Sequence, residues 1–265
     1  MLIDSHCHLD ASEFDADRRE VIARARAAGV LRQIVPAVAA AGWPGLRETC
    51  RLAPGLHPAY GLHPMYLAGH RDEHLGQLRE WIERERPVAV GECGLDFFVD
   101  DLDPEQQAHY FDAQLRLARE FELPVIVHAR RAVDAVIAAI RRFAPLRGVV
   151  HSFSGSADQA RRLHALGFLI GLGGPVTYER ANRLRRIAAQ VPLDSLLLET
   201  DAPDQPDAGI RGQRNEPARL PRVLDTIAGL RDIAPDELAR ATAANAERLF
   251  ALPAIDAHGS PVGAA

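Results

Sequence analysis

The sequence predicts a (β/α)8 barrel of the TIM-barrel class, and three observations carry that prediction. Eight short runs rich in leucine or β-branched residues alternate with segments of helical period. The chain has 265 residues, and a barrel of eight strand–helix units needs about 250. No GxGxxG follows an early strand, which weakens the competing doubly wound open sheet in its dinucleotide-binding form.

In chain order, the first four strands are expected at 2–6 (LIDSH), 31–37 (LRQIVPA), 56–64 (LHPAYGLHP) and 88–92 (VAVGE). The other four are expected at 124–130 (PVIVHAR), 148–153 (GVVHSF), 168–174 (FLIGLGG) and 196–202 (LLLETDA). Helical stretches separate them, among them ADRREVIARARAAG, DEHLGQLREWIERE, PEQQAHYFDAQLRLAREF and SADQARRLHALG. The third places Phe111, Leu115 and Ala118 on one face, as an amphipathic helix requires. No linker divides the chain, so one domain is expected over 1–252, with 253–265 (PAIDAHGSPVGAA) as a small polar surface tail.

Composition narrows the function. Apolar residues make up 47% of the chain, enough for a large core. A formal net charge of -5 and a pI near 6.1 argue against a broad basic face for coating DNA. They leave room for a local basic pocket that holds one phosphate or one strand end. Cys7, Cys50 and Cys93 have no CxxC spacing, so neither a disulfide framework nor a structural cysteine–zinc site is expected. No signal sequence and no run of 18 apolar residues is seen. A soluble cytoplasmic monomer, without a membrane or a stable protein partner, is the expectation.

In such a barrel the chemistry sits where strands end at the C-terminal face. The expected strand ends carry Asp4, His6 and His8 on the first strand, His63 on the third, Glu92 on the fourth, His128 on the fifth, His151 on the sixth and Asp201 on the eighth. Residues i and i+2 of a strand face the same side, so His6 and His8 can grip one ion while Cys7 points elsewhere. Imidazole and carboxylate ligands suit zinc, manganese, iron or magnesium-like ions rather than a thiolate site. Leaving Asp4 and His63 aside, the set offers six donors, too many for one tetrahedral zinc and about right for two ions that share a bridging carboxylate. Glu92 is the natural bridge.

Taken in order, DSHCHLD, GLHP, GECGLDF, PVIVHAR, VVHSFSG and LLLETDAP with RGQRNEP resemble successive signatures of the TatD-family metal-dependent DNases, within the amidohydrolase superfamily. The resemblance extends to NAERLF at 245–250, and DAPDQP and GLGGPVTY are similar to the YjjV-type branch. It implies a metal-dependent hydrolase in which His6, His8 and Asp201 hold one divalent ion and His128 and His151 a second, with Glu92 between them. The ions implied are zinc, magnesium or manganese. Gln213 stands where much of the family carries lysine, and Met65 where many members carry histidine.

The chemistry implied is attack of a metal-activated water on a phosphodiester, with no protein nucleophile. Asp201 is expected to serve as ligand and general base, and Glu92 as the other catalytic carboxylate. His63 is expected to contact phosphate or support the ligands, and Arg211 and Arg214 to grip a phosphate. Asp4 is expected to orient His6, Asp96 to tie down its loop, and Asn215 to bond the loop after the eighth strand or cap the next helix. Glycines 91 and 94 would let the backbone close around Glu92. Arg130 lies nearer the site than Arg141 and Arg142, which read as a solvated helix end. Cys93, Trp43 and Trp81 read as packing residues.

The leading function is a DNase that works from exposed ends, a 3′–5′ exonuclease on DNA or another phosphate-bearing nucleic acid. A metal-dependent esterase or amidohydrolase, such as a D-aminoacyl-tRNA deacylase, is the alternative. A non-catalytic nucleic-acid or protein-binding barrel is a third.

Overall fold

The computed structural model of the chain describes residues 1–253; the expected tail lies outside them except for its first residue. The strands are β1 (Leu2–Asp4), β2 (Val30–Pro36), β3 (Leu56–Tyr60), β4 (Ala89–Asp96), β5 (Val125–Arg130), β6 (Gly148–Val150), β7 (Phe168–Leu172) and β8 (Leu196–Leu198). The helices between and after them are α1 (Arg18–Ala27), α2 (Trp43–Cys50), α3 (Glu73–Glu85), α4 (Pro104–Glu120), α5 (Val133–Phe143), α6 (Ala157–Ala165), α7 (Asn182–Gln190), α8 (Leu220–Arg231) and α9 (Pro235–Phe250). The eight strands pair in chain order, all parallel. This is the expected barrel, and the open-sheet alternative falls.

The seam between β8 and β1 closes by a different means. Ser5 N donates to Leu198 O at 2.9 Å, Asp201 N to His6 O at 2.9 Å and His8 N to Ala202 O at 2.7 Å. On the other flank Cys7 N donates to Ile34 O at 3.1 Å. Residues 5–8 therefore divide their bonds between two neighbours, and the regular strand stops at Asp4 rather than at 6. The Asp4 side chain completes the clasp. Its carboxylate accepts Thr200 N at 3.0 Å, Thr200 Oγ1 at 2.6 Å and His6 N at 3.2 Å. Asp4 was expected to orient His6, and its contact is with the His6 backbone N–H.

β4 departs from expectation in the other direction. It runs on past Glu92 to Asp96, with a register shift against β5 between Val90 and Cys93. Close approach of β5 explains the glycine at 94. It has φ +141°, and a Cβ there would lie 2.1 Å from the His128 carbonyl oxygen.

Two apolar layers fix the frame. Outside the strands, the helices bury a continuous core that includes Cys7, Cys93 and Trp43. Trp81 and Trp43 pack with Tyr60, ring centroids 5.6–6.4 Å apart. Inside the barrel, Ile3, Ile34, Ala59, Ala89, Ile126, Val149 and Leu197 form a floor, and α9 seals it from below with Ala243, Ala246, Leu249 and Phe250. The floor fills the N-terminal end with hydrocarbon, which leaves polar groups only at the opposite mouth.

Phe250 is buried in that floor at 2% exposure. Truncation of Phe250 to alanine is expected to cost about 3–5 kcal/mol. A shift of the denaturation midpoint well below that size would show that α9 does not seal the barrel.

Candidate active site

Over the floor lies a cavity of about 840 Å³, open at the C-terminal ends of the strands. At its base Glu92, 1% exposed, is ringed by imidazoles. His151 Nε2, His63 Nε2 and His128 Nδ1 lie 2.7, 2.9 and 3.2 Å from its Oε1. His6 Nε2 and His8 Nε2 lie 3.2 and 3.5 Å from its Oε2. Asp201 Oδ1 lies 3.5 Å from His6 Nε2 and 3.7 Å from His8 Nε2. The structure thus brings together all six expected ligands, and His63 with them.

The spacing can be tested against a cation. A tetrahedral ion with bonds of about 2.1 Å sets its ligand atoms about 3.4 Å apart. His6 Nε2, His8 Nε2, Glu92 Oε2 and Asp201 Oδ1 stand 3.2–3.7 Å apart in every measured pair. On the other side, His128 Nδ1 and His151 Nε2 are 3.4 Å apart and share Glu92 Oε1. Glu92 Oε1 is buried, with three imidazole nitrogens within 3.2 Å of it. A buried carboxylate with imidazole nitrogens crowded on both of its oxygens fits a divalent cation.

Backbone and carboxylate neighbours set which nitrogen each ring presents. His8 Nδ1 lies 3.2 Å from the Pro36 carbonyl, which can only accept, so its Nε2 lone pair faces the cavity. His128 Nε2 donates to Asp96 Oδ2 at 2.8 Å, which leaves Nδ1 as the free donor atom. Asp96 also accepts Phe98 N and Val99 N, so it ties its loop and orients a ring at once. His63 is the exception. Its Nδ1 accepts Met65 N at 3.1 Å, so a neutral His63 keeps its proton on Nε2, pointed at Glu92. That makes it a hydrogen-bond donor at the cavity wall.

Burial lowers His8 and His128, yet the carboxylates beside them carry both upward, His8 to about 9. Burial raises the Glu92 carboxyl, yet the surrounding imidazoles outweigh it and hold the group well below the usual range. Burial drives His6 well below the ordinary histidine value and His63 down to about 4. His151 is carried upward by Glu92, with Asp201 and Glu199 behind it, against its burial. The pocket therefore calls for positive charge beside two carboxylates.

Two residues escaped the sequence reading. Glu199 is fully buried, accepts Ser152 N at 2.5 Å and lies 3.8 Å from His151 Nδ1. Gly171 makes room for it, since a Cβ there would sit 2.0 Å from Glu199 Oε2. Gln205 donates from Nε2 to Asp201 Oδ2 at 2.5 Å and pairs with Ser152 Oγ. The expected general base, Asp201, thus has its second oxygen already engaged by an amide, with one lone pair of that oxygen left. The position of Glu199, two residues before Asp201 in LLLETD, was the available signal.

The expected phosphate grip lies elsewhere. Arg214 forms an ion pair with Asp17 at 2.7 Å, donates to Glu13 O at 2.6 Å and stacks on Phe14. Arg211 is exposed, and neither arginine lines the cavity. Both fall outside the site because this loop is laced to the segment before α1. Asn215 bonds the loop as expected, donating to Thr200 O at 2.9 Å and Asp204 O at 2.8 Å and accepting Glu216 N at 2.9 Å. Farther along, Arg219 grips Asp207 with bonds of 2.7 and 2.9 Å. The arginine that does line the cavity is Arg130.

Comparison with known proteins gives a consistent result. A family model described as TatD-related DNase matches residues 3–251. The chain is 44% identical over 254 residues to an uncharacterized metal-dependent hydrolase, YjjV, of Escherichia coli K12, covering 95% of this chain and 98% of that one. It is 37% identical over 261 residues to a protein of Erwinia billingiae named 3′–5′ ssDNA/RNA exonuclease TatD, covering 96% and 100%. The crystal structure of the E. coli YjjV protein superposes with a TM-score of 0.91 over 95% of this chain and 98% of that one. Among the described residues no helix is long and apolar enough to cross a membrane.

The Asp207–Arg219 clamp carries a pH signature. Burial raises the Asp207 carboxyl, but the Arg219 guanidinium and the Gly209 N–H overcome it, so the folded pKa is depressed. The stabilisation is then full above the unfolded value of about 3.9 and fades as pH falls through the folded one. Asp207→Asn is expected to cost about 1–3 kcal/mol at pH 7. Melting curves of variant and wild type should converge in acid below about pH 4; a gap that stays constant there would contradict the clamp.

Proposed function

Because this chain belongs to the TatD-related DNase family, we propose that it is a divalent-metal-dependent hydrolase that trims single-stranded DNA from its 3′ end. One observation carries the reading: Glu92, buried with imidazole nitrogens 2.7–3.5 Å from its two oxygens, standing between two sets of imidazole donors. His6, His8 and Asp201 would hold one divalent cation, His128 and His151 the other, with Glu92 shared. Zinc, manganese or magnesium suits these ligands. Such ions would supply Lewis acidity and lower the pKa of a water at the cavity base.

The chain's own groups then have separate tasks. Asp201 accepts the proton of the attacking water through the lone pair that Gln205 leaves free. His63 presents Nε2–H to a phosphoryl oxygen, its tautomer fixed by Met65 N. Asp96 keeps the His128 lone pair aimed inward. The enclosed base of the mouth suits the free end of one strand better than the middle of a duplex. The same donors would also serve an ester carbonyl, as in an aminoacyl-tRNA. Relatives named as exonucleases, and the cationic Arg130 on the cavity wall, support the phosphodiester.

Turnover of 5′- and 3′-labelled single-stranded DNA, RNA and aminoacyl-tRNA under several metals tests this directly. Processive loss from the 3′ end of DNA is expected; release of the amino acid alone would replace the reading with a deacylase. Glu92→Gln should lower turnover at least about 100-fold, and unchanged turnover would sink the metal mechanism. Asp96→Asn should weaken divalent-ion binding, read by calorimetry, by about 10–100-fold. An unaltered affinity would show that His128 needs no support.

A further inference from the structure

Apart from Met1, the exposed large apolar side chains among the described residues are Met65, Tyr66, Phe97 and Phe98, each 40–51% exposed. All four lie at the mouth of the barrel, on the loops that follow β3 and β4. Water-exposed aromatic rings gathered at one end of a molecule mark a binding surface. Both aromatic loops are tied to residues of the site. The Tyr66 ring sits edge-on to His63 at 5.9 Å, and Phe98 N is held by Asp96, the partner of His128.

Two guanidiniums flank the aromatic rim, while the loop after β4 carries Asp100, Asp101 and Asp103 farther along. Arg130 lies 3.6 Å and Arg131 4.5 Å from the centroid of the Phe98 ring. Among the described residues neither guanidinium has a carboxylate partner. A second hollow beside this rim is lined by Phe97, Arg131, Asp134 and Arg183, and shares Ser154 with the main cavity. The opposite wall carries Asp10, Glu13 and Asp204. An anionic chain is repelled from that wall, and Arg130 and Arg131 offer it cations beside the aromatic rim.

We propose that Tyr66 and Phe98 form a stacking rim for the bases of a single-stranded nucleic acid, with Arg130 gripping the adjoining phosphate. The strand enters from the β4–β5 side, away from the loop after β8 where Arg211 and Arg214 lie. Aromatic rings can stack only on bases whose faces are free, which selects single strands over duplex. Arg130 stacked on Phe98 stiffens the ring and sets a cation beside it, so one contact serves base and backbone. The proposal rests on the nucleic-acid reading of the site and adds the residues and direction of entry.

The test uses the metal-loaded enzyme on an all-thymidylate oligonucleotide and on an abasic phosphodiester chain of equal length. Wild type should prefer the thymidylate by about tenfold or more in kcat/KM. Phe98→Ala and Tyr66→Ala should each lower that preference ratio several-fold, a change that general damage to the fold would not produce. Arg130→Gln should weaken both chains and flatten the log–log salt dependence by about 0.7. A wild type indifferent to the bases, or variants that lose both chains equally, would overturn the rim. If neither chain is cut, the nucleolytic reading fails, and fluorescence anisotropy of the labelled thymidylate decides the rim alone. Binding weakened several-fold in Phe98→Ala supports it, and equal binding removes it.

Discussion

A charge that cannot be left alone organises this molecule. Glu92 is shut away from water near the barrel axis, where an isolated carboxylate would cost several kcal/mol. Five imidazoles drawn from the β1, β3, β5 and β6 ends of the sheet surround it. Only a closed barrel can aim so many side chains from so many strands at one point. Carboxylate and imidazoles compensate one another there, so the fold and the charge of its site are two parts of one electrostatic solution.

The rest of the frame serves that point. The apolar floor and α9 exclude water from below, which concentrates every polar group at one mouth. Asp4 and Asn215 fasten the backbone on either side of the seam, so His6, His8 and Asp201 are set by hydrogen bonds rather than by loops. The outer supports, Asp96, Glu199 and Gln205, each hold a residue that faces the cavity. The ligand atoms therefore need little rearrangement to receive an ion.

Much of this was legible in the sequence because it is local. Strand periodicity placed His6 and His8 on one side, and they do meet, with Nε2 atoms 3.2 Å apart, although the regular strand ends at Asp4. Residues 5–8 stay bonded to both neighbours, which preserves the alternation without a ladder. The eight strands were visible as short apolar runs, but their ends were not, since hydrogen-bond register belongs to pairs of strands. Arg214 was misread because its partner Asp17 lies 197 positions away. An ion pair that distant leaves no mark on periodicity or spacing. Glu199 was hidden by its own burial, since its role depends on the space left at Gly171 on another strand.

The seam between β1 and β8 has a consequence for how the protein is made. Asp4 and Thr200 are separated by 196 positions, yet they clasp each other. A nascent chain folds from its N-terminus as it emerges. β1 therefore waits as an unprotected edge, with His6 and His8 bare, until most of the polypeptide has been synthesised. During that interval its free backbone groups are a template for mispairing. The β1 edge that faces β8 is thus among the last to be secured, and a cation seated between His6, His8 and Asp201 would join the two ends of the barrel strand order as a non-covalent clasp.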